Sequence, residues 1–313
     1  MDLTELKRRI VTGLLPGVDA VKKKELIQSN LSLKQILKLL RIEHPDYGAA
    51  SRVIDWLEKT ENSGIIWFTD PDFPPLYELD KHCPYMLFYQ GKRPENIIRR
   101  VTIVGSRRAD YLGLQKSFML GLEASVNGLS VVTGVAEGCD QASCAGALSA
   151  YTVQNTQFAP PLLVLPNGFD IEYPRGSAYY RNLSLDCGGC IISCFTPGTP
   201  ALRYNFIFRN MILASLSEMT LVIQSPSHSG ALMTADFALQ LGRDVCVSVG
   251  GIGDKMCRRG TGRLAEDGAQ VINSYSDYAL NGIDSSFDIL QVSRQSPYQA
   301  RYGDRFYKIV PKT

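Results

Sequence analysis

Arg107 and Arg108 follow a glycine and a serine at the end of an apolar run, in the stretch RVTIVGSRRADYLG from Arg100 to Gly113. A strand ending in Gly105-Ser106-Arg107-Arg108 and leading into a helical pattern offers backbone N–H groups, a hydroxyl and two guanidinium forks at one helix start. That is equipment for holding phosphate, either a nucleotide's or that of a nucleic-acid backbone. A second set lies in TPGTPALRYNFIFRNMILASLSE, where Arg203, Phe206 and Arg209 stand three apart. On a helix or its first turn they share a face and put two guanidinium groups around an aromatic ring. Single-stranded nucleic acid needs such a set, with arginines tracking the backbone and an aromatic stacking on a base. The same spacing also fits a core stripe through Phe206, Ile207, Met211, Ile212 and Leu213.

Other chemistries lack their residues. No G-x-G-x-x-G follows the first of these strands, no acid ends the second where a ribose hydroxyl would need one, and no G-x-x-x-x-G-K-[ST] occurs. No G-x-S-x-G is present, and of the three histidines, His44, His82 and His228, only His228 lies beside a glycine turn. As a base it would need a nucleophile and an orienting acid, so it reads as a loop histidine. Cys187-Gly-Gly-Cys190 with Cys194 has the spacing of a redox pair or metal site, yet no second pair or histidine accompanies it. The run CIISCF reads as a buried strand with structural thiols. No catalytic residue, metal or cofactor is therefore expected.

The elements that must position these residues are legible from periodicity. Residues 1–60 contain four stretches with apolar residues three and four apart, ELKRRIVTGLL, AVKKKELIQSN, SLKQILKLLRI and AASRVIDWLEKT, and form a small helical module. Its turn at Leu15-Pro16-Gly17-Val18-Asp19 resembles a helix-hairpin-helix turn without the second glycine, which points to packing rather than to DNA reading. Residues 61–99 carry two β-runs, IIWF and MLFYQ, and read as a strand-bearing connector packed on the next unit. From 100 to 274, strand, glycine turn and helix alternate. Strands are expected at 101–104, 129–133, 162–165, 190–195, 220–224, 245–249 and 270–273, all nearly continuously apolar, as a parallel sheet covered on both faces requires. The fold class is α/β, an extended Rossmann-like, doubly wound, mostly parallel sheet. Residues 275–313 show no periodicity and read as a tail.

In such a sheet, ligands bind outside the carboxyl ends of the strands. Four glycine turns fall there: Gly105 to Arg108, TGVAEGCD with Gly134 and Gly138, Asn167-Gly168, and SPSHSGALMTA. Each runs into a helix, so several sets of free N–H groups converge on one edge. Over 313 residues the net charge is only +2, but residues 101–275 hold ten arginines against two lysines, Lys116 and Lys255. That bias fits bidentate contact with phosphate. The opening MDLTELKRRIVTGLLPG lacks the apolar run and cleavage site of a secretory signal, and no stretch approaches about 18 apolar residues. Eight cysteines scattered among strands fit reduced thiols. A soluble cytoplasmic protein, free of the membrane, is expected.

The blocks VTIVGSRR, VVTGVAEGCDQAS, VLPNGFDIEYPR, PGTPALRYNFIFRNMILASLS, LVIQSPSHSGALMTADFALQLGRDV and GTGRLAEDGAQVI, from about Val101 to Ile272, resemble in order and spacing those of the DNA-processing protein A family, also called DprA or Smf. DPDFPPLYELDKHCPYMLFYQG resembles the family's lead-in, and the helical module its small N-terminal domain. The resemblance implies a non-enzymatic protein that binds and protects single-stranded DNA and helps load the RecA recombinase in natural transformation, and a homodimer. It carries Gly105, Ser106 and Arg107 over as the GSR turn, Arg203 as the basic residue before the next block, Phe206, Arg209 and Asn210 as that block, and Ser229, Gly230 and Ala231 as the SGA turn. Where the family usually reads F-P-x-R-N-R, this chain has Ile207, Phe208 and Met211, and Cys144 replaces a common histidine. The winged-helix module many members carry at the C-terminus has no counterpart in the tail. Phosphoribohydrolases on a related fold carry P-G-G-x-G-T-x-x-E, which is missing. Two alternatives stand beside this reading: a nucleotide-binding or phosphoribohydrolase-like enzyme on the related Rossmann-like fold, and a degenerate member acting as a protein-interaction module, suggested by Phe208 and Met211.

Overall fold

The computed structural model describes residues 2–71, 73–76, 83–97, 99–152, 158–253 and 255–277, with the backbone of 299–302 and 305–308. Short polar side chains start the N-terminal helices. Asp2, Asp19, Ser32 and Asp46 each accept a hydrogen bond from a backbone N–H of the turn that follows. They precede α1 (Leu3–Leu14), α2 (Ala20–Gln28), α3 (Leu33–Leu40) and α4 (Tyr47–Lys59). Leu15, Leu26 and Ile36 form a small core between them. Trp56 carries the module onto the rest of the chain, meeting Phe88 at 6.0 Å and Phe169 at 4.8 Å between ring centroids.

The chain then forms β1 (Ser63–Trp67) and β2 (Met86–Gly91), followed by β3 (Arg100–Val104), α5 (Tyr111–Val126), β4 (Ser130–Thr133) and α6 (Cys139–Ser149). Next come β5 (Leu162–Val164), α7 (Ser177–Asp186), β6 (Cys190–Ser193), α8 (Arg203–Ser215), β7 (Met219–Val222) and α9 (Gly230–Gln240). The domain closes with β8 (Asp244–Ser248), α10 (Arg259–Glu266) and β9 (Gln270–Ile272). Nine strands make one sheet in the order β1-β2-β6-β5-β4-β3-β7-β8-β9. From β6 to β9 every pairing is parallel, while β1 and β2 are antiparallel. The fold is α/β and Rossmann-like.

The chain leaves β3 toward β4 on one side and returns to pair with it through β7 on the other. Strand order thus reverses between β3 and β7, which opens a crevice at their carboxyl ends.

Three expectations need revision. The segment 61–99 is no mere connector, because β2 pairs with β6 through Phe88 and Ser193 and so extends the sheet. The strand expected at 190–195 stops at Ser193, whose hydroxyl donates to the Asn167 carbonyl at 2.8 Å and accepts from the Phe195 N–H at 3.0 Å, turning the chain. Within the stretch read as a tail, 299–302 pairs with 305–308 as an antiparallel ladder, β10 and β11, while 278–298 lies outside the described residues, as does His82.

Helices α5 and α6 lie side by side on the sheet. A Cβ on Gly121 would fall 2.1 Å from the Ser143 carbonyl oxygen, and one on Gly146 only 1.9 Å from that of Phe118. Only glycine lets these backbones touch.

Glu123, on α5, is 7% exposed and accepts the Tyr275 N–H at 2.9 Å. Burial raises its pKa from 4.5 to about 7, against the pull of that hydrogen bond. Folding therefore prefers the protonated acid, so this contribution is whole below pH 4.5 and is lost as the pH rises to about 7. Glu123→Gln keeps the carbonyl acceptor and is expected to raise Tm at pH 8 by about 2–4 °C per kcal/mol released, with no gain at pH 4. Paired thermal melts at the two pH values check this.

Candidate nucleic-acid interface

The crevice between β3 and β7 is a pocket of about 710 Å³. Its floor is the turn Gly105-Ser106-Arg107-Arg108, and the starts of α6 and α9 form two of its sides. Backbone hydrogen bonds fix the floor: Ser106 donates to the Gln224 carbonyl at 2.7 Å and accepts from the Cys139 N–H at 3.2 Å. The Ser106 hydroxyl accepts the Arg108 N–H at 3.0 Å, and Arg107 and Arg108 are both exposed. At α9, the Ser229 hydroxyl accepts the Leu232 N–H at 3.2 Å and bonds to the Ser225 hydroxyl.

Phe206 is the center of a cationic and aromatic cluster. The Arg107 guanidinium sits 5.3 Å from its ring centroid, that of Arg209 5.7 Å. Tyr173 meets the ring edge at 5.3 Å and holds Arg107 through its hydroxyl at 3.3 Å. Two guanidinium groups on one ring gain from its quadrupole while offering N–H donors to the pocket.

Arg209 differs from Arg107 in its surroundings. It is 5% exposed and donates to the Asp140 carboxylate at 3.4 Å, while its Nε has no partner. Burial pushes the Asp140 pKa up and Arg209 opposes the rise. Desolvation in turn lowers that of Arg209. Gly134 makes room for this guanidinium, since a Cβ there would fall 1.3 Å from its Nη1. Gly138, at φ +83°, lets α6 approach the floor, where a Cβ would meet the Ser106 carbonyl oxygen at 2.3 Å. Both glycines shape the pocket from behind.

Gly105, Ser106, Arg107, Arg108, Phe206, Arg209, Asn210, Ser229, Gly230 and Ala231 all line the pocket. Asn210 ties α8 to α9 by donating to the Gly230 carbonyl at 3.1 Å. Arg203 is exposed on the first turn of α8 and stands outside the lining, so the three-residue spacing brings only Phe206 and Arg209 together here. The Asn167-Gly168 turn also stays outside, because Gly168 donates to the Thr199 carbonyl at 2.9 Å. Sequence reasoning missed Tyr173, Asp140, Met256 and Cys257. Only Tyr173 carried a signal, an aromatic residue beyond the Asn167-Gly168 turn.

His228 is exposed. The eight cysteines are free thiols, and burial pushes Cys187 up to about 11 and Cys194 up to about 12. Among the described residues no group of three or more His, Cys, Asp and Glu is placed to hold a metal, and no helix is long and apolar enough to cross a membrane.

The sequence profile of the family described as DNA recombination-mediator protein A matches residues 64–281. Protein Smf of Escherichia coli (strain K12) is 30% identical over 237 residues, which cover 76% of this chain and 60% of the relative. DNA processing protein DprA of Streptococcus pneumoniae is 30% identical over 206 residues, 66% of this chain and 68% of the relative. The chain spans about 60% of the length of the Smf proteins of E. coli and Borreliella burgdorferi. The X-ray structure of S. pneumoniae DprA superposes with a TM-score of 0.68 at 24% identity, over 88% of this chain and 97% of that one. DNA processing protein A from Helicobacter pylori superposes with a TM-score of 0.59 at 21% identity, over 70% and 94%. At these identities the structural likeness is one of fold.

Proposed function

The chain belongs to the DNA recombination-mediator protein A family, and from that premise we propose that it binds single-stranded DNA in the β3–β7 pocket, protects it, and delivers it to a RecA-type recombinase during DNA processing and natural transformation. The observation that carries this reading is the Phe206 ring with the Arg107 and Arg209 guanidinium groups 5.3 and 5.7 Å from its centroid, beside two helix starts. Arg107 and Arg108 are exposed and take phosphates, with Arg203 as a further contact outside the pocket. Phe206 offers its remaining surface to an unpaired base, while Arg209, buried and paired to Asp140, braces the ring. The structure of the H. pylori relative was described for its single-stranded DNA binding mode, which supports the same ligand for this chain. The protein acts by binding rather than catalysis, as a homodimer in the cytoplasm.

Fluorescence titration of a labelled oligonucleotide against salt tests this. Three phosphate contacts predict a slope of about −2 in log K against log salt, hence a loss of about 16-fold between 50 and 200 mM. Single strands of mixed sequence are expected to bind alike and better than the duplex, since stacking tolerates any base. No binding at low salt overturns the reading. Release of free base from a nucleoside monophosphate would replace it with a phosphoribohydrolase-like enzyme.

A further inference from the structure

One wall of the pocket comes from far along the chain. Met256 and Cys257 line it, although the Met256 side chain is otherwise free, 73% of that residue being exposed. They belong to the segment between β8 and α10, and a single carboxylate holds the two cations that flank them, Lys255 and Arg258. Asp110 accepts from Arg258 at 2.7 Å and from Lys255 at 3.2 Å on one oxygen. Its other oxygen accepts from Gln224 at 2.7 Å and from the Gly113 N–H at 3.0 Å, so Asp110 is also the N-cap of α5. Gln224, fully buried two residues past the end of β7, donates in addition to the Gly250 carbonyl at 2.8 Å. Burial alone would raise the Asp110 pKa, yet the hydrogen bonds it accepts hold it down to about 2, so the carboxylate stays charged wherever the protein is folded and near neutral.

We infer that Asp110 is a positioning residue for the pocket: its carboxylate latches Lys255 and Arg258 so that Met256 stands as an apolar wall against which a nucleobase of the bound strand rests. The inference rests on the single-strand reading above. It has a sign opposite to the simplest electrostatic expectation. An acid beside a phosphate-binding pocket opposes the ligand, so its neutralisation by charge alone would tighten binding and steepen the salt slope. With Asp110 as the latch, losing it frees Met256 and weakens binding even though a repulsive charge is gone.

Asp110→Asn separates the two. Asparagine caps a helix as well as aspartate does and keeps the acceptor for Gly113, but it gives up the charge that holds Arg258 and Lys255. The expected result for Asp110→Asn, and separately for Met256→Ala, is single-strand affinity about three- to tenfold weaker, with the double variant no worse than either one. Unchanged or tighter binding by Asp110→Asn, or additive losses in the double variant, overturns the inference. Met256→Ala changes only an exposed side chain, so full affinity there overturns it whatever the fold of the other variant. Trypsin cleavage after Lys255 and Arg258, expected to be faster in Asp110→Asn than in the unaltered protein, reads the latch without DNA. Faster cleavage with no DNA binding by the unaltered protein places the failure in the single-strand reading; equal cleavage places it in the latch.

Discussion

Replacing Arg107 by alanine is expected to weaken single-strand binding by about 10- to 100-fold and to make the salt slope shallower by about 0.7. Two contributions are lost together. The exposed guanidinium no longer neutralises a phosphate, and the Phe206 ring loses the cation that lies 5.3 Å from its center. Tyr173 is left with an unpaired hydroxyl at the same place. Arg107→Lys separates the contributions, because it keeps the charge and the salt slope while giving up the planar fork that stacks on the ring. Phe206→Leu is the converse: the slope stays and affinity falls by the worth of stacking. Equilibrium titrations of the three variants at several salt concentrations measure both quantities, and an Arg107→Ala protein that binds as tightly as the parent would remove this turn from the interface.

Asp140→Ala is expected to be the most destabilising of the changes considered, costing about 3 kcal/mol. Removing one partner of a buried ion pair leaves the other charge without compensation, and the lower end of the usual range applies because Arg209 lines the pocket. Thermal melts should show Tm lower by roughly 6 °C or more. The double change Asp140→Leu with Arg209→Met replaces both charges by apolar side chains of comparable length and is expected to recover most of the loss. Binding should not recover with it, since Phe206 then has no brace. Recovery of both would mean that Arg209 serves the fold alone. Gly134→Ala tests the same pair sterically, as its methyl group takes the space of the guanidinium.

The parallel strands were legible because strands buried on both faces are continuous apolar runs, and the floor of the pocket because Gly-Ser-Arg-Arg has few other uses at a strand end. Spacing could not tell which arginine of the Arg203, Phe206, Arg209 series would be buried. That depends on Asp140, 69 residues away in sequence, and on the empty side of Gly134. Tyr173 reaches Arg107 across 66 residues, and Arg258 reaches Asp110 across 148. Pairings of this kind are set by the strand order, and no local pattern records them. The β1–β2 pair had both its strands readable, but its attachment to β6 follows from backbone hydrogen bonds that any sequence of that shape could make.

The glycine contact between α5 and α6 bears on binding itself. Two helices whose backbones touch at Gly121 and Gly146 cannot slide or tilt without a clash, so the turn leading into α5 and the start of α6 hold one separation whether or not the pocket is filled. The conformational entropy of arranging these donors is spent when the chain folds. Association then has to order the strand and the exposed arginines alone, and a bulkier residue at either glycine would transfer part of that ordering cost to the binding step, lowering affinity at a pocket some distance from the change.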